Sequence, residues 1–508
     1  MNETKIEHRD VIIIGAGLSG VGAAHHLQEQ CPDKSYLILE SKDSFGGTWL
    51  EHNYPGIRSD SDMYTYGYRF KPWSGKPVAE GSSILKYLGE IISEDGIDQH
   101  IRYQHQVVRA SWDTTKQNWQ LTTARSDTDE TLLYSCNFLW MCQGYYRHGE
   151  GYTPDFEGMS DFAGQIVHPQ TWPEDLDYKN KRVIVVGSGA TAATLIPNMA
   201  YDCEHITMLQ RSPTFIWAAE NKNELGNQLR ELEVPEEWIH EILRRNALKA
   251  GKDFYETTLN DPEAVKKAMI DALKPLLPDG YDMAHFTPRY MPWDQRLLWT
   301  PDGDLFKAIR DSRVRMVTDQ IERFTEKGIL TQSGELLEAD LIITATGFHP
   351  SRFGDIDFVI DGEAADYSKL FTYRGIMMSG IPNMAQMFGY FRVTYTIRVE
   401  IVCDFVCRLL NHLDARGAQS CTATLLEEDK EMHRQPWIQE HEFTPGYVKR
   451  AAKLPFPSQG DREPWQYSGD YYQEKDSLPC IDLDEPELIY RDNSGTLLPQ
   501  KSESKRTG

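Results

Sequence analysis

The chain has 508 residues, 40% apolar and 26% charged, with a formal net charge of −24. That length exceeds one ordinary core and predicts two or three domains, and so acidic a balance excludes a nucleic-acid partner. Eight scattered cysteines with no CxxC pair exclude a zinc site or a disulfide framework, and a charged start with no apolar run of about 20 residues predicts a cytoplasmic protein without a membrane span.

In chain order, "DVIII" (10–14) reads as a buried parallel strand, followed by a helix from about Ser19 to Gln30 and a second strand, "SYLILE", ending at Glu40. This is a βαβ unit. "FGGTW" and "YPG" then read as loop. Residues 100–145 alternate apolar and polar and predict an antiparallel sheet, with "FLWMCQG" (138–144) as a returning buried strand. "KRVIVVGSGATAATLI" (181–196) repeats the strand–glycine loop–helix pattern, and "HITMLQRS" (205–212) is its partner strand. Residues 222–278 are rich in Leu, Glu, Lys and Arg and predict a helical insertion. "ADLIITATGF" (339–348) reads as another buried strand, and "VEIVCDFVCRLLNHL" (399–413) as a helix.

This order predicts an α/β fold of two Rossmann-like dinucleotide-binding domains, the second inserted in the first. The expected bounds are 1–150 for the first part of the first domain and 151–221 with 279–330 for the second. The helical insertion takes 222–278, the rest of the first domain 331–492, and a disordered tail 493–508.

"GAGLSG" places Gly15, Gly17 and Gly20 in GxGxxG spacing. Gly15 allows the tight turn, Gly17 close approach to a pyrophosphate, and Gly20 packing of helix on strand. Glu40, 20 residues on, suits ribose hydroxyls and repels a 2′-phosphate. "GSGATA" supplies Gly187, Ser188, Gly189, Ala190, Thr191 and Ala192, with alanine at the third glycine position. Arg211 stands where the first unit has Glu40; its guanidinium suits a 2′-phosphate, with Ser212 adding a hydroxyl. Two sites of opposite electrostatic design imply transfer between two cofactors, with FAD in the first and NADPH in the second. Disulfide reductases share that plan but carry paired cysteines after the acid; residues 41–70 contain none.

Between the two loops stands "FAGQIVHPQTWP" (162–173), with Phe162, Gly164, His168, Trp172 and Pro173 at fixed intervals. It matches the FxGxxxHxxxW(P/D) fingerprint of the Baeyer–Villiger monooxygenases. "GGTW", "YPGIRSDSDMY", "HPQTWPEDLDY", "FTPRYMPWDQRL", "PDGDLFKAIR", "DLIITATGF", "SGIPNMA" and "EFTPGYV" extend the resemblance over roughly residues 9–468. The resemblance implies a flavin enzyme that uses NADPH and O2. It would insert oxygen into a ketone through a C4a-peroxyflavin, giving an ester or lactone, and would also oxygenate sulfides. It implies that Arg296 is the active-site cation and Asp60 the carboxylate that positions it. It further implies that Gly47, Thr48, Trp49 and Tyr66 lie along the flavin, Ser19 near its phosphates and Val107 beside its adenine. Arg58 and Ser59 would meet the nicotinamide cofactor. Many family members have lysine before the active-site arginine; here it is Gln295. Alternatives are an oxygenase mainly of sulfur or nitrogen, an NADPH oxidase releasing hydrogen peroxide, and a non-catalytic flavin or NADPH sensor. The fingerprint is expected to lock the junction of the two domains through His168 and Trp172.

Overall fold

A computed structural model describes residues 6–437 and 443–500. Its centre is two sheets, each built on one of the glycine-loop units. In the first, the strand Glu7–Ile14 runs parallel to Tyr36–Leu39 on one side and to Thr131–Met141 on the other. All four residues Val11–Ile14 are buried, as a strand covered on both faces requires. His105–Asp113, Asn118–Arg125 and Thr131–Met141 form the antiparallel meander that the alternation between 100 and 145 predicts. Ile101–Arg102, Asp357–Ile360, Glu363–Ala364 and Met384–Gln386 complete a nine-stranded sheet. The helix Leu18–Gln30 packs on it, and the helix Thr396–Arg416 covers that helix in turn.

The second sheet is wholly parallel, in the order Val314–Thr318, His205–Gln210, Arg182–Val186, Leu341–Thr344, Gln165–Val167. Its two faces carry separate apolar clusters. One boundary expected from the sequence needs correcting. The sequence places Leu341–Thr344 in the first domain with 331–492, yet it lies in the second sheet, with Ile342 opposite Ile184 and Ile166. A fully buried parallel strand fits either sheet by composition, and its partners decide.

The chain crosses between the units twice, and the two crossings pair with each other. Tyr146–Gly151 leaves the first sheet, Phe348–Pro350 returns to it, and they form a two-stranded antiparallel ribbon. Residues 222–278 hold three α-helices, Glu224–Glu231, Glu236–Asn260 and Pro262–Leu273, and a 3-10 turn at Lys274–Leu276. Arg244 anchors this insertion to the first unit: its buried guanidinium donates to the carbonyls of Tyr64 and Gly67 and pairs with Glu400. No helix among the described residues is long and apolar enough to cross a membrane.

The tail also differs from expectation where it is described. Leu488–Arg491 pairs with Ser420–Ala423, the amide of Asp492 donates to Thr496 at 3.0 Å, and Leu498 returns to Tyr490 at 2.9 Å. A turn capped by the Asp492 carboxylate keeps this polar stretch ordered. Residues 501–508 of the expected tail lie outside the described residues.

Candidate active site at the junction of two dinucleotide cradles

A cleft of about 1990 Å³ runs between the carboxyl ends of the two sheets. Open parallel sheets bind ligands at that edge, where the strands hand over to helices. Both glycine loops open into it.

The two loops have nearly the same geometry, and their glycines divide into two kinds. Gly15, at φ +100°, and Gly187, at φ +135°, are required by the protein: a Cβ would meet the carbonyl oxygens of Cys142 and Ala345 at 2.8 and 2.3 Å. Gly20 is likewise internal, since its Cβ would stand 1.8 Å from the Gly15 oxygen. Gly17 and Gly189 differ. Each is the N-cap of its helix, at φ −82° and −81°, a conformation open to any residue. A Cβ on Gly17 would touch only Gly47 at 3.4 Å, and one on Gly189 nothing within 4 Å. The protein has no use for a bare backbone at these two points. Both helices also lack a side-chain cap and an acid in the first turn, leaving free amides and a positive helix end toward the cleft. A pyrophosphate laid against each loop fits both facts. Ala192, at the third glycine position, is wholly buried.

Glu40 is buried, and its carboxylate accepts from the amides of Ala16 and Lys42 at 2.7 and 2.9 Å. It therefore braces the first loop, while lone pairs remain for ligand hydroxyls. Arg211 is exposed at the corresponding corner of the second unit. Ser188 donates to the Ser212 carbonyl at 3.0 Å and lies 2.9 Å from the Thr214 hydroxyl, fixing the turn that carries Arg211.

Between the cradles lie the residues expected to do chemistry. Arg296 reaches the cleft from a loop, and its Nε donates to the Tyr447 hydroxyl at 3.4 Å. Burial opposes its charge, but the oxygens of Tyr447 and Tyr145 and the carboxylate of Asp60 outweigh burial and hold it protonated. Asp60 lines the same cleft; it acts on Arg296 through its field, without an ion pair between them among the described residues. Arg58 pairs with Asp304 across the units at 2.6 Å, while its Nη2 has no partner. Trp49 is buried and donates from its indole to Tyr66 at 3.1 Å. Thr48 accepts from Tyr146 at 2.9 Å. Gly47, Ser19, Ser59, Val107, Ala190, Thr191 and Gln295 also line the cleft.

The fingerprint divides in space. Phe162 belongs to one apolar face of the second sheet and Trp172 to the other. Gly164 lets its strand lie against the Asp340 carbonyl, where a Cβ would stand at 2.4 Å. The Pro173 carbonyl accepts from the Leu176 amide at 3.2 Å in the following turn. His168 lies at the junction: its Nε2 donates to the Gly347 carbonyl at 2.9 Å and its Nδ1 accepts from the Gln170 amide at 3.1 Å. Burial lowers its pKa, consistent with a neutral ring used as donor on one side and acceptor on the other.

A family model described as flavin-binding monooxygenase-like matches residues 8–229. The FAD-containing monooxygenase EthA of Mycobacterium tuberculosis is 46% identical over 472 residues, covering 92% of this chain and 94% of its own. The chain belongs to the FAD-containing monooxygenases. Among solved structures, the open form of cyclohexanone monooxygenase aligns with a TM-score of 0.74 at 19% identity, covering 96% of this chain and all of that one. OTEMO in complex with FAD and NADP aligns with a TM-score of 0.68 at 21% identity, over 83% and 88% of the two chains. The fold of this monooxygenase is thus that of Baeyer–Villiger enzymes, as the fingerprint implies.

Several cleft residues of this monooxygenase have no role that the sequence alone assigns, although Phe348 and Tyr447 fall in the stretches "DLIITATGF" and "EFTPGYV" that carry the resemblance. Tyr145, Tyr395, Tyr447 and Phe348 form an aromatic wall around Arg296. Burial pushes the Tyr145 hydroxyl up to about 12, so it stays protonated. His52 stands 3.4 Å from the Tyr146 hydroxyl, and burial takes its pKa down to about 4. Tyrosines and histidines spaced this widely along the chain make no local pattern, and only the fold assembles them.

Proposed function

We propose that this monooxygenase binds FAD on the first glycine loop and NADPH on the second, and that it inserts one atom of O2 beside the carbonyl of a ketone to give an ester or lactone. The observation that carries this reading is Arg296, a guanidinium held charged beside Asp60 where the two cradles meet. Bound there, the flavin supplies activated oxygen and the nicotinamide the hydride that reduces it. Glu40 would hold the ribose hydroxyls of the first cofactor and Arg211 the 2′-phosphate of the second. Arg296 remains a cation at any working pH and stabilises negative charge as it develops on oxygen at the ketone carbon. The aromatic wall keeps water from that point, which strengthens the effect. A sulfide fits the same uncharged wall; its sulfur attacks oxygen directly and builds no alkoxide on carbon, so it depends less on Arg296.

The test is product analysis with NADPH, oxygen and 2-octanone, then with a simple aryl sulfide. Ester formed in proportion to NADPH consumed is expected, with slower turnover on NADH. Removing one donor to a developing oxyanion typically costs about 100-fold or more, so Arg296→Ala should lose about that in ketone turnover and clearly less in sulfide turnover. Hydrogen peroxide in place of ester from the unaltered protein would refute the reading, as would equal losses on both substrates.

A further inference from the structure

The loop that carries Arg296 is poorly supported by its own backbone. Residues 291–297 form neither helix nor strand beyond an isolated bridge between Pro292 and Gln295. The turn closes on itself, with the Asp294 amide donating to the Met291 carbonyl at 3.1 Å and the Met291 amide to the Asp294 carboxylate at 2.8 Å. Trp293 packs on Phe254 and Tyr255 of the helical insertion, but the hydrogen bonds that reach Asp294 and Arg296 from outside come from a segment about 150 residues away in sequence. The Thr444 amide and hydroxyl donate to the Asp294 carbonyl at 2.8 and 3.2 Å, and Tyr447 accepts from Arg296 Nε.

The same segment grips the ribbon between the two units. The Tyr447 ring packs on Phe348, with centroids 4.7 Å apart. One short turn on, in the helix Gly446–Ala451, Arg450 donates from Nη2 to the Phe348 carbonyl at 2.9 Å, and its guanidinium lies 3.6 Å over the Tyr152 ring. Gly347, the residue before Phe348, is the one whose carbonyl accepts from His168. The fingerprint histidine and the support of Arg296 therefore hold adjacent carbonyls, those of Gly347 and Phe348, where the strand Phe348–Pro350 begins.

We propose that Tyr447 and Arg450 are positioning residues: residues 443–451 act as a strap that orients the Arg296 guanidinium and keeps it in register with the ribbon joining the units. This rests on the role given to Arg296 above. An arginine fixed only through its stem can adopt many rotamers. Engaging Nε with Tyr447 fixes the plane of the fork and leaves both terminal nitrogens for the reacting oxygen. Arg450 sets where Tyr447 stands, because its planar group is held between a carbonyl and a ring.

The test uses the full-length protein loaded with its cofactors, comparing Tyr447→Phe, Arg450→Lys and Arg296→Lys. In Tyr447→Phe, kcat for the ketone should fall about tenfold and peroxide release should rise, with KM for NADPH within twofold of the parent. Arg450→Lys keeps the charge but loses the planar stack and should shift the same ratio in the same direction. A readout independent of turnover is water exchange at the Arg296 Nε–H, followed by 15N-arginine NMR and assigned by its loss in Arg296→Lys. It should be at least tenfold faster in Tyr447→Phe. Parent-like yield and exchange in Tyr447→Phe, beside an inactive Arg296→Lys, would overturn the strap and leave the role of Arg296 standing. An Arg296→Lys protein that still forms ester at the parent rate would overturn both.

Discussion

Replacing His168 with alanine tests what the fingerprint does. The ring makes two hydrogen bonds, to the Gly347 carbonyl and from the Gln170 amide. The Gly347 oxygen also accepts from the Tyr152 amide at 3.0 Å, so it keeps one partner when the ring is gone, whereas the Gln170 amide loses its acceptor. Each net bond contributes roughly 1 kcal/mol, and the ring is half-buried, so the loss at the junction should be about 2 kcal/mol. That corresponds to a roughly 30-fold rise in local opening. Hydrogen exchange of the ribbon amides, 146–152 and 347–349, reads it directly. The same variant should oxidise NADPH normally while passing less oxygen to product, because the ribbon sets how the two cradles face each other. Gly151→Ala is the companion: a Cβ there would stand 1.9 Å from His168 Nδ1, so it must push the ring aside and give the same two effects. Unchanged exchange along the ribbon together with unchanged coupling in both variants would show that His168 is ordinary packing and refute the reasoning.

Two further outcomes follow from geometry and titration. Gly189→Ala should leave thermal unfolding within about 1 °C, since its Cβ meets no protein atom and its backbone is unstrained, yet raise KM for NADPH at least tenfold; a normal KM would remove the second cradle. His240 is 1% exposed, and burial takes its pKa down to about 4 from 6.5; the unfolded chain binds that proton first, so stability is full above pH 6.5 and is lost as pH falls from there toward 4. The ceiling from this one group is about 3 kcal/mol, and urea unfolding at pH 7 and pH 5, compared with His240→Gln, checks it: the variant should show a shallower fall.

Much of this arrangement was legible where a residue's reason is local. Gly15, Gly20 and Gly187 answer to a positive φ or to a backbone a few residues away, so the two loops could be read as cradles before any fold was known. The offset of Glu40 suggests a ribose acid but does not show its brace on the Ala16 amide, because the two roles leave the same letter. The strand Leu341–Thr344 was misplaced since an apolar run carries no address; the residues it meets, Ile166 and Ile184, lie in distant segments. Tyr145, Phe348 and Tyr447 have no assigned role for the same reason: two of them stand in stretches that carry the resemblance, but only the ribbon and the strap bring all three to Arg296. The fingerprint stands between these cases. Its five positions fall in one window and are easy to recognise, but the partner that gives His168 its meaning is Gly347, 179 residues away. Part of what holds such a motif therefore lies outside it, at the start of a ribbon that belongs to neither sheet. That is why its histidine is better tested through the ribbon than through its own neighbours in sequence.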